Sequence, residues 1–231
     1  MNTRALILAG GGRTGLRWPA PPGVVPRHMV PIRGEPMIHR TTRMLAERGI
    51  EDIRVFADPS DTDYIIAPAV HEHPRVPERP GRTFVQEWEP SMHRWPDEGR
   101  CMILYGDVFF TETLMDAMVA DNGNPWNVYA RYGASTHHDK EYGEMWGWVF
   151  DHRWAALLRR CQQEAIAWVE RGDWNRALGW EVYRIAMNQW PGHHYKGEHF
   201  VDVDDATEDF DLPGDFGKWA VSHPDLAWAP D

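Results

Sequence analysis

The chain has 231 residues, enough for one α/β domain that buries about 70–75% of the surface its unfolded chain would expose. Charged residues make up 26% and aromatics 12%, with 13 Trp, 7 Tyr and 8 Phe, which excludes an acidic, aromatic-poor disordered chain. Lys plus Arg number 24 against 35 Asp plus Glu, a formal net charge of −11, which argues against coating nucleic acid or an anionic membrane; anionic substrates stay open if cations bridge them. The two cysteines, Cys101 and Cys161, are too few for a disulfide framework or a Cys-based zinc site. The segment from Met1 to Leu8 lacks a secretory apolar region, and no stretch holds 18 apolar residues, so a soluble, cytoplasmic protein is expected.

Ala5-Leu6-Ile7-Leu8 is a short apolar run ending in Gly10-Gly11-Gly12, which reads as a buried strand of a parallel sheet. Five prolines between Leu16 and Pro31 forbid a helix there. From Met37 to Arg48 the pattern turns helical, with Met37, Thr41, Met44 and Leu45 on one face and Gly49 placed as a C-cap. Ile53 to Phe56 is the next strand, completing a β-loop-α-β unit of an open sheet. Residues 58–82 read as irregular connection plus a short helix, and Arg82 to Gln86 as a third strand. Cys101 to Tyr105 is the clearest central strand and runs into Gly106-Asp107. Thr111 to Asp121 is expected as a helix capped by Thr111, with strands at Val128 to Arg131 and Met145 to Phe150. Helical spacing links Trp154, Leu157, Leu158, Cys161, Ala165, Trp168 and Val169; a second helix spans Trp174 to Trp190, and Phe200 to Val203 is the last strand.

Gly10-Gly11-Gly12-Arg13-Thr14-Gly15 matches G-x-G-x-x-G after a strand, but it is no dinucleotide fingerprint. No helix opens at the loop, and the first acid after the second strand, Asp58, lies 43 residues beyond Gly15 instead of about 20. A phosphate-binding loop of the G-K-S/T kind fails as well. What remains is a glycine loop with Arg13 and Arg17, then Arg27 in a Pro-flanked segment. Glycines let backbone N–H groups approach phosphates, and guanidinium groups bind them bidentately.

Leu6-Ile7-Leu8-Ala9-Gly10-Gly11, the Arg-bearing loop, Pro26-Arg27-His28-Met29-Val30-Pro31-Ile32 and Gly34-Glu35-Pro36-Met37-Ile38 together resemble the N-terminal signature of the nucleotidyltransferase family. That family includes sugar-1-phosphate nucleotidyltransferases and cytidylyltransferases. Its signature runs as an L-A-A/G-G loop, then P-K-x-x-x-P, then G-x-P-x-I. Two departures stand out: the Arg of the loop is displaced, so either Arg13 or Arg17 answers to the triphosphate ligand, and Arg27 stands where the signature has lysine. Arginine keeps the charge, but its planar fork is not a point charge. Ile103-Leu104-Tyr105-Gly106-Asp107-Val108 resembles the family's strand ending in the metal-binding Gly-Asp. Even without the resemblance, a lone carboxylate at the C-terminal end of a central strand lies where open α/β sheets place ligands. Phe200 to Phe210 resembles the late strand whose acidic residue completes the metal site. On an extended strand Asp202 and Asp204 share a face and Asp205 takes the other, so Asp204 is the first candidate and Asp202 the second; Glu208 to Asp215 reads as solvated surface.

The resemblance covers the first 55 residues, 101–116 and 199–210. It implies a Rossmann-like three-layer α/β/α fold with a mostly parallel central sheet, of the GT-A or nucleotide-diphospho-sugar transferase type. It implies one domain over 1–231, with a nucleotide-binding half at 1–120 and an acceptor half at 121–231. The implied reaction joins a nucleoside triphosphate to a phosphorylated small-molecule acceptor, a sugar 1-phosphate being favoured, and releases pyrophosphate with Mg2+ as cofactor. Arg13, Arg17 and Arg27 would act on the phosphates, and Asp107 with Asp204 or Asp202 on the metal. Leu8, Ala9, Gly10, Gly11, Gly12 and Ser91 would meet the nucleotide. Glu144, Trp146 and Trp148 share a face of a regular strand, which makes Glu144 and Trp146 acceptor candidates. The pairs His71 and His73, His137 and His138, and His193 and His194 lack further ligands at metal spacing. No nucleic-acid or membrane partner is expected, and nothing in the sequence decides against a homo-oligomer. The rivals are a glycosyltransferase of the same fold, for which the middle strand has one Asp where an Asp-x-Asp is usual, and a catalytically silent nucleotide-binding module.

Overall fold

The computed structural model of the chain describes residues 2–9, 17–20, 23–57, 68–72, 88–121, 125–135, 137, 143–190, 192–193, 195–211 and 213–228. Its central sheet has seven strands: β1 (Thr3–Ala9), β2 (Asp52–Ala57), β3 (Val70–Glu72), β4 (Arg100–Tyr105), β5 (Trp126–Ala130), β6 (Met145–Asp151) and β7 (Phe200–Asp202). They lie in the order β7-β5-β6-β4-β1-β2-β3. Only β6 opposes its neighbours; the other six run the same way, so their C-terminal ends share one edge. The innermost strands read as nearly unbroken apolar runs because both faces of the sheet are covered.

One face packs under α1 (Met37–Glu47) and α2 (Glu112–Ala120). Ile38, Met44 and Leu45 from α1 and Leu114, Met115 and Met118 from α2 meet Ala5, Ile7, Val55, Met102 and Leu104. The expected cap is in place: Thr111 Oγ1 accepts from the backbone N–H of Leu114 at 3.1 Å. The opposite face packs under α3 (Ala155–Arg171) and α4 (Gly179–Ala186), with Leu158, Cys161, Trp180 and Tyr183 against Leu6, Ile103, Val128 and Phe150. This is the three-layer α/β/α architecture that the family resemblance implied.

Three expectations change. Within residues read as an irregular connection, Val70–Glu72 adds a parallel edge strand to β2. The helix expected over 174–190 is confined to α4, because the Glu181 carboxylate accepts from the Leu178 N–H at 3.0 Å and starts the helix there. In β6, Ala130 pairs with Met145 and Tyr129 with Gly147, so Trp146 is the extra residue of a β-bulge. The strand read at Arg82 to Gln86 lies outside the described residues.

A small satellite core joins distant segments. Val30, Ile32, Met37, Phe109, Phe210, Trp219 and Ala227 cluster where a two-stranded ribbon, Val108–Phe109 with Glu208–Asp209, meets α5 (Pro213–Ser222). That ribbon brings the late acidic segment back beside the end of β4. No helix among the described residues is long and apolar enough to cross a membrane.

Candidate functional site

The site starts from a close approach between two strand ends. The Gly106 N–H donates to the Leu8 carbonyl at 2.9 Å, and a Cβ on Gly106 would lie 2.9 Å from the Ala9 Cβ and 3.2 Å from the Leu8 oxygen. Only glycine fits, and the turn it makes delivers Asp107 beside Leu8 and Ala9 at the C-terminal edge of the sheet. Gly10, Gly11, Gly12 and Arg13 follow directly but lie outside the described residues. Arg17 is described by its main chain alone, in a hairpin whose strands are Arg17–Ala20 and Gly23–Pro26; Arg17 pairs with Pro26, next to Arg27.

Pro26 leads into a single 3-10 turn, Arg27–Met29. From it Arg27 reaches two carboxylates, with Nη2 2.8 Å from Asp107 Oδ2 and Nη1 2.5 Å from Asp211 Oδ1. The Phe210 N–H donates to the Asp107 carbonyl at 3.3 Å, which fixes Asp211 at this point. Residues 27, 107 and 211 therefore form one partly exposed cluster. Next to Arg27, His28 is buried with its Nε2 unpartnered among the described residues, and burial, then the Arg27 charge, lowers its pKa to about 4.

Asp202 is not part of that cluster. Three strand spacings of roughly 4.8 Å place the end of β7 about 14 Å from the end of β4, too far for one metal ion. Asp202 instead accepts from Lys196 Nζ at 2.6 Å and from the Tyr132 N–H at 3.0 Å. Burial alone would raise its pKa, but the Lys196 ammonium and the Tyr132 N–H outweigh it and hold the carboxyl below the usual range. Asp204, two residues along the segment returning toward Asp107, is exposed and has no hydrogen-bond or ion-pair partner among the described residues. Asp205 is spent on the Thr207 N–H at 2.8 Å and on the Thr111 hydroxyl.

The acidic run expected to be solvated is largely buried, with Glu208 fully enclosed and Asp209 and Asp215 nearly so. Glu208 Oε2 receives Arg131 Nη1 at 2.8 Å and the Ser135 hydroxyl at 2.6 Å, and His137 Nδ1 lies 2.9 Å away. Arg131 also donates through Nη2 to the carbonyls of Asp205 and Thr207, at 2.9 and 3.2 Å. The hub thus clamps the return segment over the sheet edge.

Two further expectations are corrected. Ser91 is fully buried in a 3-10 turn, donating to the Trp88 carbonyl at 2.8 Å and accepting from Trp95 Nε1 at 3.2 Å, so its hydroxyl is structural. Trp146 is fully buried on the α1 and α2 side, with the Arg131 guanidinium 5.2 Å from its ring centroid, whereas Trp148 packs against Trp88 on the other face. The bulge breaks the period-two pattern, so the two indoles do not converge on a ligand. Glu144 stays partly exposed at the mouth of β6, its carbonyl accepting the Arg131 N–H at 2.8 Å.

Among the described residues no group of three or more His, Cys, Asp or Glu side chains could hold a metal ion. Magnesium needs only one or two protein carboxylates when substrate phosphates complete its shell. Asp107 is one such carboxylate, and Arg27 already pairs with it. The residues suit a cation that arrives with a polyphosphate better than a resident one.

No protein-family model matches the sequence, and a search of curated proteins found no relative. Solved structures do match over nearly the whole chain. A protein assigned as a glucose-1-phosphate thymidylyltransferase from Bacillus anthracis, in complex with a sucrose, aligns at TM-score 0.60 and 13% identity, covering 99% of this chain and 98% of that one. The CTP:phosphocholine cytidylyltransferase of Streptococcus pneumoniae aligns at 0.59 and 13%, covering 94% and 97%. HddC from Yersinia pseudotuberculosis aligns at 0.50 and 15%, covering 96% and 99%. At such identities the likeness is one of fold, and the fold is that of the nucleotidyltransferases.

Proposed function

We propose that the protein is a Mg2+-dependent nucleotidyltransferase that joins a nucleoside triphosphate to a phosphorylated small molecule, most simply a sugar 1-phosphate. The observation that carries the reading is the Arg27–Asp107 contact beside Ala9, at the C-terminal edge of the central strands where open α/β sheets bind ligands. The fold match supports the same class.

In this reaction an acceptor phosphate oxygen attacks the α-phosphorus. The bond from that phosphorus to the bridging oxygen of the β-phosphate breaks, and its electron pair leaves with pyrophosphate. Such chemistry depends on positioning and charge neutralisation, with no covalent enzyme intermediate. Arg27 stabilises charge on the α-phosphate, and one of the loop arginines, Arg13 or Arg17, takes the outer phosphates. The backbone of Leu8, Ala9 and the following glycines meets the nucleoside. Asp107 and Asp204 would hold the magnesium ion, which would supply positive charge to the phosphate groups. Glu144 would contact the acceptor. An Asp-x-Asp glycosyltransferase site is disfavoured, because Asp202 is tied to Lys196 far from Asp107.

Thermal melting with Mg2+ and each ribo- and deoxyribonucleoside triphosphate tests binding. A ligand at 100 times its Kd stabilises by about 2.7 kcal/mol, a rise of roughly 5–11 °C for a chain of this size. No shift with any triphosphate contradicts the reading.

A further inference from the structure

Arg27 is held from both sides. Its planar fork directs Nη2 to Asp107 and Nη1 to Asp211, so either carboxylate can be released while the other keeps the guanidinium in place. The two acids differ in what supports them. Asp107 follows the Gly106 turn at the sheet edge, whereas Asp211 follows Phe210, which is fully buried in the satellite core with Trp219 at 5.3 Å. Asp211 is thus anchored directly after a fully buried residue of the satellite core.

We propose that Asp211 is a positioning residue: it keeps Arg27 at the phosphate site while Asp107 exchanges its Arg27 contact for the cation that accompanies a triphosphate. The proposal rests on the triphosphate reading above. Before ligand arrives, the pair and the guanidinium carry a net charge of −1, and Asp107 is shielded. On binding, Nη2 turns from Asp107 to a phosphate oxygen while Nη1 stays on Asp211. Only arginine can do both, since a lysine ammonium lacks two separated donor edges.

The sign of one substitution separates positioning from plain electrostatics. Removing the Asp211 charge reduces repulsion, so simple charge summation predicts tighter binding of an anion. Positioning predicts weaker binding, and only while Arg27 is present. Calorimetric titration with magnesium tripolyphosphate, a probe that needs no base, is run on wild type, Asp211→Asn, Asp211→Glu, Arg27→Ala and the Arg27→Ala/Asp211→Asn pair, with melting curves alongside. Asp211→Asn should weaken binding about tenfold, the scale of one charge-assisted contact, and Asp211→Glu should recover most of it. In the Arg27→Ala background Asp211→Asn should leave affinity unchanged or tighter. Tighter binding by Asp211→Asn alone, or an equal loss in both backgrounds, overturns the role of Asp211 and leaves the triphosphate reading standing. No binding of tripolyphosphate by wild type overturns that reading, and the proposal with it.

Discussion

Glu208→Ala is the substitution with the most calculable consequence. It removes a fully buried carboxylate that receives Arg131 and Ser135, with His137 in contact, and leaves the Arg131 guanidinium, among the described residues, with the carbonyls of Asp205 and Thr207 and the Trp146 ring. Breaking a buried ion pair by removing one partner costs about 3–5 kcal/mol, since the surviving charge stays desolvated. At about 2–4 °C per kcal/mol for a chain of this length, Tm should fall by about 6–20 °C. Glu208→Gln keeps the shape and an acceptor oxygen, so it should lose less. Replacing both partners, as Arg131→Met with Glu208→Leu, should recover a large part of the single loss, because no unpaired charge remains. Calorimetric melting of wild type, Glu208→Ala, Glu208→Gln, the single variants Arg131→Met and Glu208→Leu, and their double variant checks this. A loss below about 1 kcal/mol for Glu208→Ala, or strict additivity in the double variant, would show that the hub does not hold the return segment.

Gly106→Ala should cost about 1–3 kcal/mol by overpacking, because its Cβ would press on Ala9 at 2.9 Å; chemical denaturation with an unchanged midpoint would contradict this. Arg27→Lys should raise the triphosphate KM less than Arg27→Ala, since an ammonium keeps the charge but loses one edge of the fork; equal losses in steady-state kinetics would show that charge alone is not what the site uses. His28 has a folded pKa of about 4 against about 6.5 unfolded, so the unfolded chain takes up its proton first as pH falls. Stability should therefore drop by about 3 kcal/mol between roughly pH 6.5 and 4, and level off below. Urea unfolding should show that slope flattened in His28→Gln, and an identical slope in the variant counts against it.

What was legible in the sequence was local. The glycine-ended first strand, the Met37 helix with Gly49 after it, the Thr111 cap and the Gly106-Asp107 turn all follow from neighbouring residues, and the fold class follows from their order. The rest depends on partners distant in the chain. Glu208 looked solvated because Arg131 lies 77 residues away, and Asp211 because Arg27 lies 184 away. Asp202 looked like a ligand because one strand's alternation says nothing of its place in the sheet; two strands lie between β7 and β4. Trp146 was misplaced by one inserted residue, set by the pairing of Ala130 with Met145. The motif E-D-F at Glu208-Asp209-Phe210 was the available signal, since an apolar residue inside an acidic run marks a face turned inward.

The most direct test of the central claim is a continuous pyrophosphate-release assay with Mg2+. It pairs each ribo- and deoxyribonucleoside triphosphate with sugar 1-phosphates and with phosphocholine, for wild type and Asp107→Asn. At least one pair should release pyrophosphate only when both substrates and the metal are present, and Asp107→Asn should retain less than about a tenth of the rate, a loss of at least 1.4 kcal/mol in transition-state stabilisation. No acceptor-dependent release from any pair, or a full rate from well-folded Asp107→Asn, would contradict it.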